Sequence, residues 1–361
     1  MTHPYRQQEP RAFWKRAVSP YHPLDVADWY RARFELRGLR IATAGSCFAQ
    51  HIGRHLRQNG FEYLDVEPAP AGLPPKDLQA FGYEMYSARY GNVYTARQLL
   101  QLLQRAMGRF SPAEDHWDKD GGVVDPFRPT IEPEPFGSVH ELRSIREDHL
   151  ARVEDMFRQA EVFVFTLGLT EAWISRIDGA TYPICPGTAG GVFDSDRHVF
   201  HNLGFAEVLA DMQNFLTLVR ELNPGLRILL TVSPVPLMAT ATDQQVVVAT
   251  TYSKSVLRAV AGELCHGDST IDYFPSYEII TAPCMKGFFF EADAREVSPH
   301  GVSHVMSVFF NQHSPPESGG RQANRTPAGN LAAIEIARAE EAEQVKCDEE
   351  LLAAFGEAAS P

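Results

Sequence analysis

Three short apolar runs, each cut off by a residue that ends a strand, constrain this chain more than any other feature. They are Leu39 to Ala44, stopped by Gly45; Glu161 to Leu167, stopped by Gly168; and Arg227 to Val232, closed by Ser233-Pro234. Runs this short and this apolar read as buried strands. After the first run the apolar spacing changes. Phe48, Ile52 and Leu56 recur at i, i+4 and i+8, with Ala49 and Gly53 as small residues for close packing on a sheet. Helical patterns also cover 94–107, 144–160, 205–222, 243–264 and 302–310, and Asn223-Pro224-Gly225 stops the third of these. Ile271 to Phe274 reads as one more short strand. Strands alternating with helices at this spacing form a parallel sheet with helices on both faces, a three-layer α/β/α domain.

That domain is expected over residues 39–312. Residues 1–38 read as an N-terminal arm packed on it, with Phe13, Trp14, Tyr21, Trp29, Tyr30 and Phe34 as aromatic anchors. Residues 65–80 and the proline-rich 110–137 read as loops, and 313–330 as a linker by composition. Residues 331–361 form an acidic tail, with an Ala/Glu-rich helix over 331–355 expected to lie outside the core.

The chain has 361 residues and a net charge of −13, a poor match to nucleic acid, which needs a basic surface. Residues 1–60 are locally basic, with Arg6, Arg11, Lys15, Arg16, Arg31, Arg33, Arg37 and Arg40, which reads first as a solvated face and second as a site for an anionic partner. No apolar run reaches membrane-spanning length, and Met1 to Arg6 lacks the apolar stretch of a signal peptide. The cysteines, at 47, 185, 265, 284 and 347, show no CxxC spacing. Neither a zinc site nor a disulfide framework is expected, and a reducing cytoplasm fits best. Oligomeric state is not legible.

Ligands of open α/β sheets bind beyond the carboxyl ends of the strands. Three segments end a strand there: Gly45-Ser46-Cys47, Gly168-Leu169-Thr170-Glu171 and Thr231-Val232-Ser233-Pro234. The first also starts a helix, where free amides and the positive dipole end favour a thiolate or a developing oxyanion. Read from these residues alone, Ser46 is equally a helix N-cap and Cys47 a small buried filler. His51 and His55 share a helix face with Cys47 but have no third ligand at a metal-binding spacing.

The string ATAGSCFAQHIGRHL over 42–56 resembles the eponymous motif of the GSCFA family, a branch of the SGNH/GDSL hydrolases. YSARYGNVYTARQLL, FTLGLTEAW, LTVSPVPL and DYFPSYEI extend the resemblance over roughly residues 10–310. It implies an SGNH-hydrolase-like (flavodoxin-like) fold and an acyl-ester hydrolase or O-acyltransferase, acting on a small-molecule or carbohydrate ester such as a polysaccharide. No cofactor is implied, though acetyl-CoA would be the donor for transfer. The superfamily turn is Gly-Asp-Ser. In register, Cys47 is the nucleophile by position and Ser46 by residue type, and the easier activation of a helix-start thiol favours Cys47. Oxyanion donors are implied at Gly45, at Gly91 or Asn92, and at Gly168 with Thr170. The superfamily ends in Asp-x-x-His. Here Asp293 is followed by Glu296 in the histidine position, with His300 four residues on. Ser298 and Pro299 make a helix start there. Three outcomes stand open: His300 as base, Glu296 as base, or a non-catalytic ligand- or glycan-binding domain that has lost the base histidine. His198 and His201, in the segment HVFHN read as a loop, are outlying base candidates.

Overall fold

The computed structural model describes residues 3–315 and 347–356. In chain order the elements are α1 (Trp14–Ala17), β1 (Ile41–Gly45), α2 (Cys47–Gln58), α3 (Ala96–Ala106), β2 (Trp117–Lys119), β3 (Gly122–Val124), α4 (Val139–Gln159) and β4 (Val162–Leu167). There follow β5 (Glu171–Ser175), β6 (Thr181–Tyr182), β7 (His198–Asn202), α5 (Phe205–Leu222), β8 (Arg227–Val232), α6 (Val246–Gly267), β9 (Ile271–Tyr273), α7 (Ser276–Thr281) and α8 (Pro299–Gln312).

The central sheet has the order β1-β4-β8-β9, and every pair is parallel. Gly45 lies in register with Thr166, and Thr166 with Thr231, so the three terminated runs do end on one edge. Each sheet face is covered. On one, Phe163 and Phe165 of β4 pack with Phe157 of α4 and Phe215 of α5. On the other, Val162 and Val164 join Phe48 and Ile52 of α2 and Val302, Val305, Met306 and Phe309 of α8. Strands buried on both faces have no polar side to alternate with, which is why they read as continuous apolar runs.

Several expectations change. Residues 110–137 contain the β2–β3 hairpin, which buries Trp117, Val123 and Val124. HVFHN is a strand, β7, which pairs with β5 in a second, antiparallel sheet of order β6-β5-β7. Helix α4 starts at Val139, five residues before the expected point. Ser138 caps it by accepting from the Glu141 amide at 3.2 Å, and Glu141 reaches back to the Gly137 amide at 3.0 Å. In the N-terminal arm Tyr30 is a real anchor, buried and hydrogen-bonded to Asp272 at 2.6 Å, whereas Trp14 and Tyr21 are exposed.

Most of the expected linker and tail helix falls on residues 316–346, outside the described residues. The described part of the tail is not a helix beyond the core. Residues Asp348–Leu352 make a 3-10 turn, Ala353–Gly356 a short helix, and Cys347, Asp348 and Glu349 are buried. Polar partners far away in sequence receive them, which local composition does not reveal.

Candidate active site

The turn after β1 is set by two facts. Gly45 has φ +148, a conformation side chains rarely adopt, and Ser46 then takes the N-cap position of α2. The Ser46 side chain makes no cap bond, and its Oγ is buried with no hydrogen-bond partner among the described residues. Cys47 is therefore the first helical residue, where the backbone itself offers its amide no acceptor. Close behind, a Cβ placed on Gly168 would stand 3.0 Å from the Ser46 Cβ, so the first two strand-end turns are in contact.

Cys47 opens on a cavity of about 940 Å3, whose walls include His51, Asp293, Glu296, His300 and Cys347. The Asp293–His300 segment and the thiol thus line one cavity. Roles within that segment differ from expectation. The Asp293 carboxylate accepts the amides of Arg295 and Glu296, both at 3.0 Å, so it braces its own turn, and among the described residues no histidine is bonded to it. His300 sits in the first turn of α8, where Ser298 caps the Gly301 amide at 3.2 Å, and its exposed ring lies against Phe288 and Phe289. Among the described residues no hydrogen bond joins the Glu296 or His300 side chain to Cys47. His51 is held neutral, its pKa pushed down to about 3 by burial with help from Arg54 and His55, which leaves it too weak a base to take a thiol proton. His198 and His201 pair with Glu114 and Glu207 and do not line this cavity.

The implied oxyanion donors are mostly committed elsewhere. The Gly168 amide donates to the Tyr94 carbonyl at 3.1 Å. Thr170 is buried; its hydroxyl donates to Asn202 at 2.7 Å and its amide to Ser253 at 3.0 Å, so it presents no donor to the cleft. Gly45 belongs to the β1–β4 ladder, and Gly91, at φ +70, makes the turn that delivers Asn92. Asn92 is buried and committed to the tail. Its Oδ1 accepts from the Tyr86 hydroxyl at 2.6 Å and from Gln50 at 3.3 Å, which leaves its Nδ2 to donate. That Nδ2 donates to the Asp348 carboxylate at 2.9 Å.

Sequence reasoning missed the groups around this point. Cys347 stands against Cys47, and its interaction with that thiol, together with burial, raises the Cys47 pKa well above the ordinary thiol range. The same interaction lowers Cys347, with Arg295 as a nearby cation. The two thiols are pushed in opposite directions, so the expectation that the helix start alone would depress Cys47 is not met. Asp348 is held further by Thr130 at 2.5 Å and by the Tyr94 hydroxyl on its amide at 3.0 Å. Glu349 lies 3.6 Å from Arg295, and burial raises its pKa. Lys254 is fully buried, donates to the Gly168 carbonyl at 2.7 Å, and is pushed down to about 8 by burial. Its place in α6, three residues before Leu257 on the apolar stripe, is the one sequence signal that could have found it. Accordingly, iodoacetamide near pH 8 is expected to label Cys347 before Cys47 in the folded protein, as read by peptide mass spectrometry. Faster labelling of Cys47 would show that the pair holds its charge on the other sulfur.

Fold and site define an α/β protein with a helix-start thiol at the carboxyl edge of a parallel sheet, opening on a cleft that holds acidic side chains and histidines. The model of the GSCFA family matches residues 40–309, more than half of the chain, and the chain belongs to that family. No curated protein matches. A family 3 carbohydrate esterase of Clostridium thermocellum is among the similar solved structures, at 10% identity and a TM-score of 0.33, covering 76% of this chain and 94% of that one. An overlay that loose establishes neither fold nor chemistry. Among the described residues no helix is long and apolar enough to cross a membrane, and no group of three or more His, Cys, Asp or Glu is placed to hold a metal ion.

Proposed function

We propose that the chain is an SGNH-like acyl-ester hydrolase or O-acyltransferase, with Cys47 as nucleophile and a small or carbohydrate ester as substrate. The observation that carries this reading is the position of Cys47, first residue of α2 and wall of a cavity large enough for a sugar ester. The Cys47 sulfur, losing its proton as it reacts, attacks the acyl carbonyl, and the first-turn amides together with the Asn92 Nδ2 receive the oxyanion. The substrate oxygen has to replace the Asp348 carboxylate on Asn92. Glu296 and His300, both on the cavity wall, are the groups to move the proton and release the leaving alcohol. Acetyl-CoA would serve as donor if the acyl group passes to an alcohol instead of water. All five cysteines are free, which suits a reducing cytoplasm.

A second reading is favoured by one observation: Asp293 is spent on backbone amides and no histidine stands at 296. On it, the cleft binds a ligand or glycan without turnover. Assay of the full chain and of Cys47→Ala, Ser46→Ala, Glu296→Gln and His300→Ala on p-nitrophenyl acetate, sugar acetates and acetyl-CoA separates the two. Cys47→Ala is expected to lower turnover on the order of 10³-fold or more, with Ser46→Ala far milder. Loss of all turnover in Ser46→Ala with Cys47→Ala active would move the nucleophile to Ser46. No turnover by the wild type on any ester or thioester would leave the binding reading.

A further inference from the structure

We propose that Cys47 and Cys347 form a redox pair that a hydroperoxide converts into a disulfide, tying the C-terminal tail to the first turn of α2. This inference does not depend on ester chemistry at the site. Three features of the structure point to it. The two thiols belong to segments that meet although 300 positions separate them in sequence: the Tyr86 hydroxyl that donates to the Ser46 carbonyl also donates to Asn92, and Asn92 holds Asp348. Both line the same 940 Å3 cavity, so a small peroxide has a route to sulfurs that are otherwise buried. The tail is also seated with defined geometry: Asp348 is bonded by Asn92, Thr130 and the Tyr94 hydroxyl, that same hydroxyl lies 3.8 Å from the Cys347 sulfur, and Glu349 faces Arg295. A segment resting there by general hydrophobicity would not need so many polar contacts.

The chemistry balances in two steps. The Cys347 thiolate attacks the terminal oxygen of the hydroperoxide; the O–O bond breaks, the alkoxide leaves and is protonated to the alcohol, and Cys347 becomes a sulfenic acid. Cys47 then gives up its proton and attacks that sulfur. The S–S bond forms, the S–O bond breaks, and the departing hydroxide takes the proton as water. Two thiols and one hydroperoxide yield one disulfide, one alcohol and one water, with both electrons supplied by the sulfurs. Arg295 beside Cys347 favours the thiolate that starts the sequence. Once formed, the bond holds Asp348 on Asn92 and removes the Cys47 sulfur from the cavity.

The test uses the full chain, exposed to hydrogen peroxide, blocked with N-ethylmaleimide and digested with trypsin without reductant. The expected product joins the peptide 41–54, which holds Cys47, to the peptide 347–361, which holds Cys347. It should exceed every other cysteine combination at least tenfold and disappear with dithiothreitol. Cys347→Ser should instead leave Cys47 as a thiol or as sulfinic acid, with no cross-link. Separate oxidation of Cys47 and Cys347 to sulfinic acids in the wild type overturns the proposal. So does a link from either of them to Cys185, Cys265 or Cys284, and so does survival of both thiols at a dose that oxidises the partly exposed Cys284.

Discussion

Acidification from pH 6.5 to 4 is expected to remove most of the stability of this protein, well above the pH at which ordinary carboxylates are fully protonated. Two buried histidines are responsible. His149, on α4, is 2% exposed and has its pKa pushed down to about 4, mainly by burial and next by Arg128, against the pull of Glu67 at 2.7 Å. His313, just after α8, is fully buried against Tyr30 and is likewise held near 4 by burial, with Asp272 opposing. In the unfolded chain both titrate at about 6.5. Between about pH 6.5 and 4 the unfolded state therefore binds protons that the native state refuses, so stability rises with pH in that window and falls as pH drops through it. Below about 4 both states are protonated at these sites and the loss stops growing. Each histidine contributes a loss of about 3 kcal/mol by pH 4, and the two together approach the whole stability of an ordinary domain. Glu67 contributes little in this window, because a lowered carboxylate pKa loses its stabilising effect only as pH falls below the ordinary carboxylate value. Urea unfolding at pH 7.0, 5.5 and 4.5 measures this directly. His149→Gln, which keeps a donor for Glu67, should cut the loss by roughly half. Superimposable urea curves across that range would mean that neither ring is held neutral in the native state.

What the chain shows in its sequence and what it hides divide along the range of the interactions. Each strand of the central sheet is buried on both faces, so β4 and β8 appear as uninterrupted apolar runs with nearly their observed bounds. The start of α2 is equally local: a glycine that ends β1, a serine at the cap position and a cysteine behind it. The second sheet is different. In β5 the residues alternate between half-buried and buried, β6 is two residues long, and β7 carries two histidines, so composition suggests a loop where Trp173, Tyr182 and Phe200 pair across strands. The start of α4 could have been found, since Ser138 and Glu141 stand at the spacing of a capping box. The site itself splits the same way. Cys47 and the Asp293–His300 segment are recognisable because motifs mark them. The Cys347–Glu349 contacts are not, because their partners Asn92, Thr130, Lys254 and Arg295 come from four distant parts of the chain. An acidic tail with few large apolar residues gives no local reason to be buried. Only the folded cleft supplies the donors and cations that make burial of Asp348 and Glu349 tolerable.

Replacement of the first residue of the motif turn tests the same structure from its backbone. Gly45→Ala is expected to cost more than about 3 kcal/mol, with a correspondingly lower urea midpoint. The reason is geometric. A Cβ on Gly45 would lie 2.6 Å from the Thr166 carbonyl oxygen, 2.7 Å from the Thr166 Cβ and 2.9 Å from its amide nitrogen. Two of those three atoms are backbone, and Thr166 belongs to β4, which is hydrogen-bonded between β1 and β8 and has nowhere to recede. The φ of +148 adds strain that any side chain would feel. The Gly45 carbonyl accepts from the Val93 amide at 2.9 Å, so a shift of this residue would also drag the segment that carries Asn92. Two other glycines calibrate the effect. Gly53 would bring a Cβ to 3.1 Å from the Tyr63 hydroxyl, a side-chain end that can give, and Gly53→Ala should cost about 1 kcal/mol. Gly267, at the end of α6, has nothing within 4 Å, and Gly267→Ala should be neutral or slightly stabilising through helix propensity. The order Gly45, Gly53, Gly267 is the prediction. If Gly45→Ala unfolds within about 1 kcal/mol of the wild type, close approach of β4 is not what requires glycine there, and the residue would have to be explained by its service to the cleft instead.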